Sequence, residues 1–265
     1  MSKAKGNPMA DDSNLISTAE ARDLFPGFNA PGTTLAISAA PLMNFTSTEL
    51  PMLFAYEQLI LAAVVHDIAP KCVIEFGTGQ GAGTLLLAAN AGDDAEIHTV
   101  DLDPAARSDY TAKILRDDDD VGAAYKASAW RNRVKQMLVR PNEPAAGFAH
   151  LKGRVDFAYI DGDHTYDGVR TDTLIALDII KPDATLLWHD FYDFPGYIRE
   201  GRAKRGVFPW LNEMAAKGEF SLYHISGTYM VVGRRNWGRD IPCRLRRPGD
   251  RPDPFGVRIV RQGEA

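Results

Sequence analysis

Between residues 70 and 190 short apolar runs alternate with longer amphipathic stretches, and most of the runs end at a polar or titratable residue. Five runs have the length and the β-branched or aromatic enrichment of strands: 72–76 (CVIEF), 96–101 (EIHTVD), 134–139 (VKQMLV), 155–161 (VDFAYID) and 184–189 (ATLLWH). The intervening segments 82–91, 104–117 and 166–180 fit helices. Such alternation predicts a parallel sheet covered on both faces. Two further strand-like runs, 220–225 and 228–234, flank Ser226 and Gly227, which suit a tight hairpin. One of them should therefore run antiparallel. Upstream, Thr46-x-x-Glu49 with Pro51 in the first turn is a capping pattern, opening a helix to about Val65. The expected fold class is α/β: a doubly wound, mostly parallel seven-stranded sheet with one antiparallel strand, an N-terminal helical segment and a C-terminal extension.

Bulk properties narrow the picture modestly. The 265 residues suit one large domain with appendages. A net charge of −5 disfavours a general nucleic-acid partner, and no apolar run is long enough to span a bilayer. Cys72 and Cys243 fit no ligand spacing and no disulfide framework, so a reducing cytoplasm is expected. Residues 1–14 are polar, lack the apolar core of a secretory signal and read as a disordered leader. The tail is basic, with nine Arg against four Asp plus Glu from 234 to 265. It reads as a solvated edge hairpin or as an arm docking on a second subunit, and a homo-oligomer is expected.

Glycines stand at 77, 79, 81 and 83, directly behind a run containing Glu75. So much glycine implies a backbone that something approaches closely. Gly77-x-Gly79-x-x-Ala82 satisfies the dinucleotide fingerprint, but a lone match is weak evidence. Glu75 would repel a pyrophosphate and attract a ligand bearing an ammonium group. Two later strand ends carry titratable residues: Asp161 with Gly-Asp163-His164 behind it, and His189-Asp190. Neighbouring parallel strands would bring Asp161, His189 and Asp190 to one rim, mixing hard oxygen ligands with an imidazole.

The arrangement Glu75-Phe-Gly77-Thr78-Gly79-Gln-Gly81 resembles motif I of class I S-adenosylmethionine-dependent methyltransferases. The stretch IDGDHTYDGVRTD, with His189-Asp190 beyond it, is similar to the metal-dependent small-molecule O-methyltransferases, both catechol-type and antibiotic-sugar enzymes. The resemblance spans about residues 50–234. It implies a methyltransferase domain over 46–235, preceded by a leader and lid segment (1–45) and followed by a basic extension (236–265). It also implies S-adenosylmethionine bound by Glu75, Gly77, Thr78, Gly79, Gly81, Asp101 and Asp161, with Asp101 at the ribose hydroxyls. A divalent metal (Mg, Mn, Fe or Zn) would sit on Asp161, His189 and Asp190, with Asp161 and His164 catalytic and His164 as the general base. The implied reaction is methyl transfer to a hydroxyl of a small polyhydroxylated acceptor.

There are two departures. The family has an acid or amide where His189 stands, and imidazole tilts preference away from Mg²⁺. Arg140-Pro141-Asn142 occupies the place of an acidic residue near the adenine, where Glu143 could substitute. Blander readings accompany the other candidates. Asp103 is expected to cap the turn at Pro104, and Asp163 to orient His164 or cap the next helix. Tyr166 and the histidines at 66, 98, 150 and 224 are expected to be structural. Asp117–Asp120 reads as a solvated helix end, Trp130 could lie near the adenine, and 191–210 is a candidate lid. A nicotinamide-dependent oxidoreductase and a catalytically silent cofactor-binding scaffold are the alternatives.

Overall fold

A computed structural model describes residues 14–37, 51–106, 121–140, 145–191 and 206–245. Nine strands form one sheet: β1 (Ser17–Ala19), β2 (Cys72–Phe76), β3 (Glu96–Leu102), β4 (Val134–Val139), β5 (Val155–Ile160), β6 (Ile180–Trp188), β7 (Ser221–Ile225), β8 (Val231–Arg234) and β9 (Cys243–Leu245). Their order is β4-β3-β2-β5-β6-β8-β7-β1-β9. Strands β4, β3, β2, β5 and β6 run parallel, while β8 is antiparallel to both of its neighbours. The doubly wound class is as the sequence predicts. The number of strands is larger than the expected seven, because β1 and β9 add to the β7 edge. These are three-residue strands, too short to show a period of two. β1 gives the open backbone edge of β7 its partner, and β9 pairs with β1 in turn.

Helices cover both faces. On one side α2 (Pro51–Ile68) and α3 (Ala82–Asn90), with the short α1 (Ala21–Leu24), enclose a core containing Leu61, Val65, Val73, Leu87, Ile97 and Phe157. On the other, α5 (Tyr166–Ile179) and α6 (Val207–Lys217) pack over Ile74, Phe76, Leu186 and Trp188. A single turn, α4 (Ala123–Lys126), lies beside the glycine segment. Strands β2 and β5 are buried along both faces, which is why they read as unbroken apolar runs.

The element bounds differ from expectation in three places. Strand β6 begins at Ile180, directly where α5 ends. Val155 pairs with Ile180, but Phe157 pairs with Thr185, so β6 is irregular between those partners. Pro182 lies inside that irregularity and cannot donate to a ladder. The connection between β7 and β8 is longer than two residues: Gly227 takes φ 78°, Thr228 Oγ1 donates to Ile225 O, and pairing resumes at Val231. Of the helix expected over 104–117, a 3₁₀ turn at Pro104–Ala106 is described, and the rest lies outside the described residues, as do Thr46 and Glu49. No helix among the described residues is long and apolar enough to cross a membrane.

Candidate active site

The chain runs from β2 outward to β3 and β4, then returns to place β5 on the other side of β2. That reversal opens a crevice beyond the carboxyl ends of β2 and β5, where open α/β sheets take their ligands. The glycine turn follows β2 into this crevice. Gly77 adopts φ 97°, and a Cβ there would stand 2.2 Å from the backbone oxygen of Asp161. Its bareness lets the neighbouring strand end approach. Gly81, at φ 84°, caps α3 against Gly122 and Tyr125. Gly79 is different: its φ is 50°, and a Cβ would meet nothing within 4 Å. Of these three, Gly79 is the one whose missing side chain faces open space.

Asp101, near the end of β3, accepts hydrogen bonds from Gly79 N (2.8 Å) and Leu102 N (2.7 Å), tying the turn to the next strand. Thr78 Oγ1 pairs with Thr99 Oγ1 at 2.7 Å. Glu75 corrects the sequence reading. Its side chain is turned beneath α3 rather than toward a ligand's ammonium group, and it accepts from Thr99 Oγ1 at 2.6 Å and from Thr84 Oγ1. It is 1% exposed. Burial pushes its carboxyl up to about 8 against the two hydroxyl hydrogen bonds, with the charges of Asp161 and Asp101 adding to the rise.

Asp161 follows β5, and His189-Asp190 follow β6, on adjacent parallel strands. His164 Nδ1 lies 2.8 Å from Asp190 Oδ2, and its Nε2 lies 3.5 Å from Asp161 Oδ1. His189 Nε2 is 3.1 Å from Glu57 Oε2, while its Nδ1 faces Asp161 Oδ1 at 3.4 Å and Asp190 Oδ2 at 3.7 Å. Tyr159 OH donates to Asp161 Oδ2 at 2.9 Å. The backbone of Asp190 takes φ 60°, a conformation costing a non-glycine residue about 1–3 kcal/mol and concentrated at functional sites. His164 is held from behind, since its carbonyl accepts from Gly206 N at 2.6 Å, and a Cβ on Gly206 would strike the Tyr166 backbone.

Electrostatically the cluster alternates acids and imidazoles. Burial alone would lower the pKa of His164, but Asp161 and Asp190 outweigh it and push the imidazole up to about 10. Burial likewise disfavours charge on His189, yet Asp161 and the groups around it hold it well above its usual value. Asp161 is held down to about 2 by His189 and His164 against the opposing effect of burial, and Asp190 is held low in the same way. Two carboxylates retain its proton while nothing else shares them.

The cluster suits a divalent cation. Asp161, His164 and Asp190 each offer a donor atom within 4.8 Å of the other two. His189 Nδ1 is buried without a hydrogen-bond partner, although two carboxylates face it. Two carboxylates with imidazole nitrogen match Mn²⁺, Fe²⁺ or Zn²⁺ better than Mg²⁺. Asp161 and Asp190 of the expected set thus stand together with His164 from the loop, and His189 Nδ1 faces the same two carboxylates at 3.4 and 3.7 Å.

Glu57 was not foreseen. It lies on α2, 132 residues from His189, and its second oxygen accepts from Tyr229 N at 2.7 Å. One carboxylate thereby fixes the ring of His189 and the start of the β7–β8 return. Nothing in its neighbourhood, FAYEQLI, marks it out. Asp172 is a second unforeseen acid, tucked beneath Gly162 and pushed up to about 7 by burial with the charge of Asp163 adding to it.

The blander expectations divide. Asp103 does cap the Pro104 turn, accepting from Ala105 N at 3.0 Å. Asp163 is not the cap of α5: Thr165 fills that place, and Asp163 accepts from Thr165 N. Tyr166 packs edge-on to Trp210 and donates to Glu213. His224 is structural, bonded to Thr18 Oγ1 and Thr228 O. Trp130 packs against the α2–α3 side of the core. Phe191 is buried beside Phe208, while 192–205, Glu143 and Asp117–Asp120 lie outside the described residues.

A family model described as a methyltransferase domain matches residues 74–191. No curated protein matches the chain. Among solved structures, a Klebsiella pneumoniae protein described as a candidate O-methyltransferase superposes with a TM-score of 0.51 at 15% identity, covering 87% of this chain and 90% of that one. The cofactor-bound protein Rv0187 from MTB gives 0.50 at 15% identity over 81% and 87%. The O-methyltransferase of Bacillus cereus in complex with SAH gives 0.49 at 17% identity over 74% and 86%. What this chain shares with the Klebsiella pneumoniae and MTB structures is the fold, and the family model that matches it describes a methyltransferase domain.

Proposed function

We propose that this chain, whose residues 74–191 match a model of a methyltransferase domain, moves the methyl group of S-adenosylmethionine to a hydroxyl of a small polyhydroxylated molecule. The observation carrying the proposal is a shared wall. The open turn at Gly79 and the cluster Asp161, His164, His189 and Asp190 stand on neighbouring strand ends, in contact through Gly77 and Asp161. Gly79 leaves room for the donor, and Asp101 keeps lone pairs for ribose hydroxyls beyond its two backbone bonds. Placement at this distance lowers the barrier of a displacement at carbon chiefly by orientation.

Asp161, His189 and Asp190 would hold a divalent ion. An ion held there would neutralise charge on the two carboxylates, easing their hold on the His164 proton, and would lower the pKa of an acceptor hydroxyl. His164 is oriented by Asp190 through Nδ1, which leaves Nε2 as the atom that takes the acceptor's proton.

Calorimetry with S-adenosylhomocysteine and NAD⁺, followed by transfer from labelled S-adenosylmethionine to catechol and sugar acceptors with and without Mn²⁺, tests this reading. Binding of S-adenosylhomocysteine alone, Mn²⁺-dependent turnover and loss of both Mn²⁺ binding and turnover in Asp190→Asn are expected. Turnover indifferent to chelator and to Asp190→Asn refutes the metal assignment. Failure to bind S-adenosylhomocysteine refutes the whole proposal.

A further inference from the structure

At the opposite, amino-terminal end of the sheet lies a cluster that the reaction does not use. Cys72 opens β2, Glu96 opens β3, and the two are register partners. His98, two residues on from Glu96, presents its side chain to the same face. His98 is 1% exposed, and neither of its ring nitrogens has a hydrogen-bond partner; Nε2 lies 3.5 Å from Glu96 Oε1. An enclosed polar group left unmet is destabilising, so an imidazole with both nitrogens orphaned calls for an occupant. The Cys72 sulfur, a Glu96 oxygen and a His98 nitrogen lie within 4.8 Å of one another.

We propose that Cys72, Glu96 and His98 form a site for a borderline divalent cation of the Zn²⁺ class. Thiolate, imidazole and carboxylate together suit Zn²⁺ and disfavour Mg²⁺ and Ca²⁺. Burial holds His98 below its ordinary pKa, so the ring is neutral, as a ligand must be. Binding converts the Cys72 thiol to thiolate and releases one proton to solvent. Glu96 is engaged by Lys135 and by Arg154 at 2.8 Å, but these side chains are 62% and 51% exposed. Surface pairs of this kind are weak, so a divalent ion displaces them readily. His150, exposed and with its ring 5.7 Å from that of His98, stands next to the site as a fourth ligand after side-chain rotation. Five residues of strand, about 17 Å, separate Cys72 from Gly77. The ion would therefore stabilise the sheet rather than take part in methyl transfer, and the inference is independent of the acceptor.

Co²⁺ titration of the full chain carrying Cys243→Ser tests it, because Cys72 is then the sole thiol. A thiolate-to-cobalt charge-transfer band saturating at one equivalent and bleached by Zn²⁺ is expected. It should vanish in Cys72→Ser and need more than about tenfold higher Co²⁺ in His98→Gln. Absence of the band from the folded Cys243→Ser protein overturns the proposal, and so does a band that His98→Gln leaves undiminished. The first measurement leaves Cys72, Glu96 and His98 intact, so it decides even where a substitution at 72 or 98 prevents folding.

Discussion

Replacing Glu75 with glutamine should make the protein gain stability relative to wild type as the pH rises from acid to mildly alkaline. In the folded chain the carboxyl keeps its proton up to about 8, because burial disfavours the ion more strongly than the hydroxyls of Thr84 and Thr99 favour it. In the unfolded chain it ionises near its ordinary 4.5. Between those values the folded state binds more protons, so stability falls as pH rises and levels off only above the folded value. At about 1.4 kcal/mol per pH unit, the interval from 4.5 to about 8 amounts to roughly 5 kcal/mol, of which about 3 kcal/mol is already present at pH 7. Glutamine retains an acceptor for both threonine hydroxyls and cannot ionise. Its new NH₂ group must fit beside Gly83, where a Glu75 oxygen now lies 2.4 Å from the position a Cβ would take. That crowding is a cost independent of pH. Urea unfolding of wild type and Glu75→Gln at pH 5, 6, 7 and 8 isolates the effect, since every other titration cancels in the difference. The gap should swing toward the variant by several kcal/mol between pH 5 and 8. A difference that is flat across that range refutes the placement of Glu75 as a buried neutral acid.

Gly77 and Gly79 should separate under the same change to alanine. At Gly77 the added Cβ meets Asp161 O at 2.2 Å with φ at 97°, so folding should be lost or weakened by about 3 kcal/mol or more, read by urea unfolding. At Gly79 the space is open, so the cost should stay near the 1–2 kcal/mol of a left-handed residue while calorimetric affinity for S-adenosylhomocysteine falls. Glu57→Gln should loosen His189 and weaken Mn²⁺ binding about 10- to 100-fold by calorimetry, with the unfolding transition retained. Thr173 Oγ1 accepts from both Trp188 Nε1 and Trp210 Nε1 and donates to Val169 O, so Thr173→Val strands two buried indole N–H groups. A loss of about 3 kcal/mol in urea unfolding is expected.

The sequence by itself determined what depends on near neighbours. Apolar runs place β2 and β4 at their observed bounds, because a strand buried on both faces must be apolar throughout or nearly so, and an edge strand half so. The glycine turn, the strand-end acids and the family resemblance followed from short spacings along the chain. Tertiary structure alone decided which way each side chain faces and what reaches it from afar. Glu75 turns inward, where Thr84 and Thr99 donate to it beneath α3. Glu57 joins His189 across 132 residues. β1 forms where β7 offers an unpaired edge, and β9 then pairs with β1. Periodicity encodes a residue's own segment, whereas desolvation and long-range hydrogen bonds depend on partners that only the folded chain brings within a few ångströms.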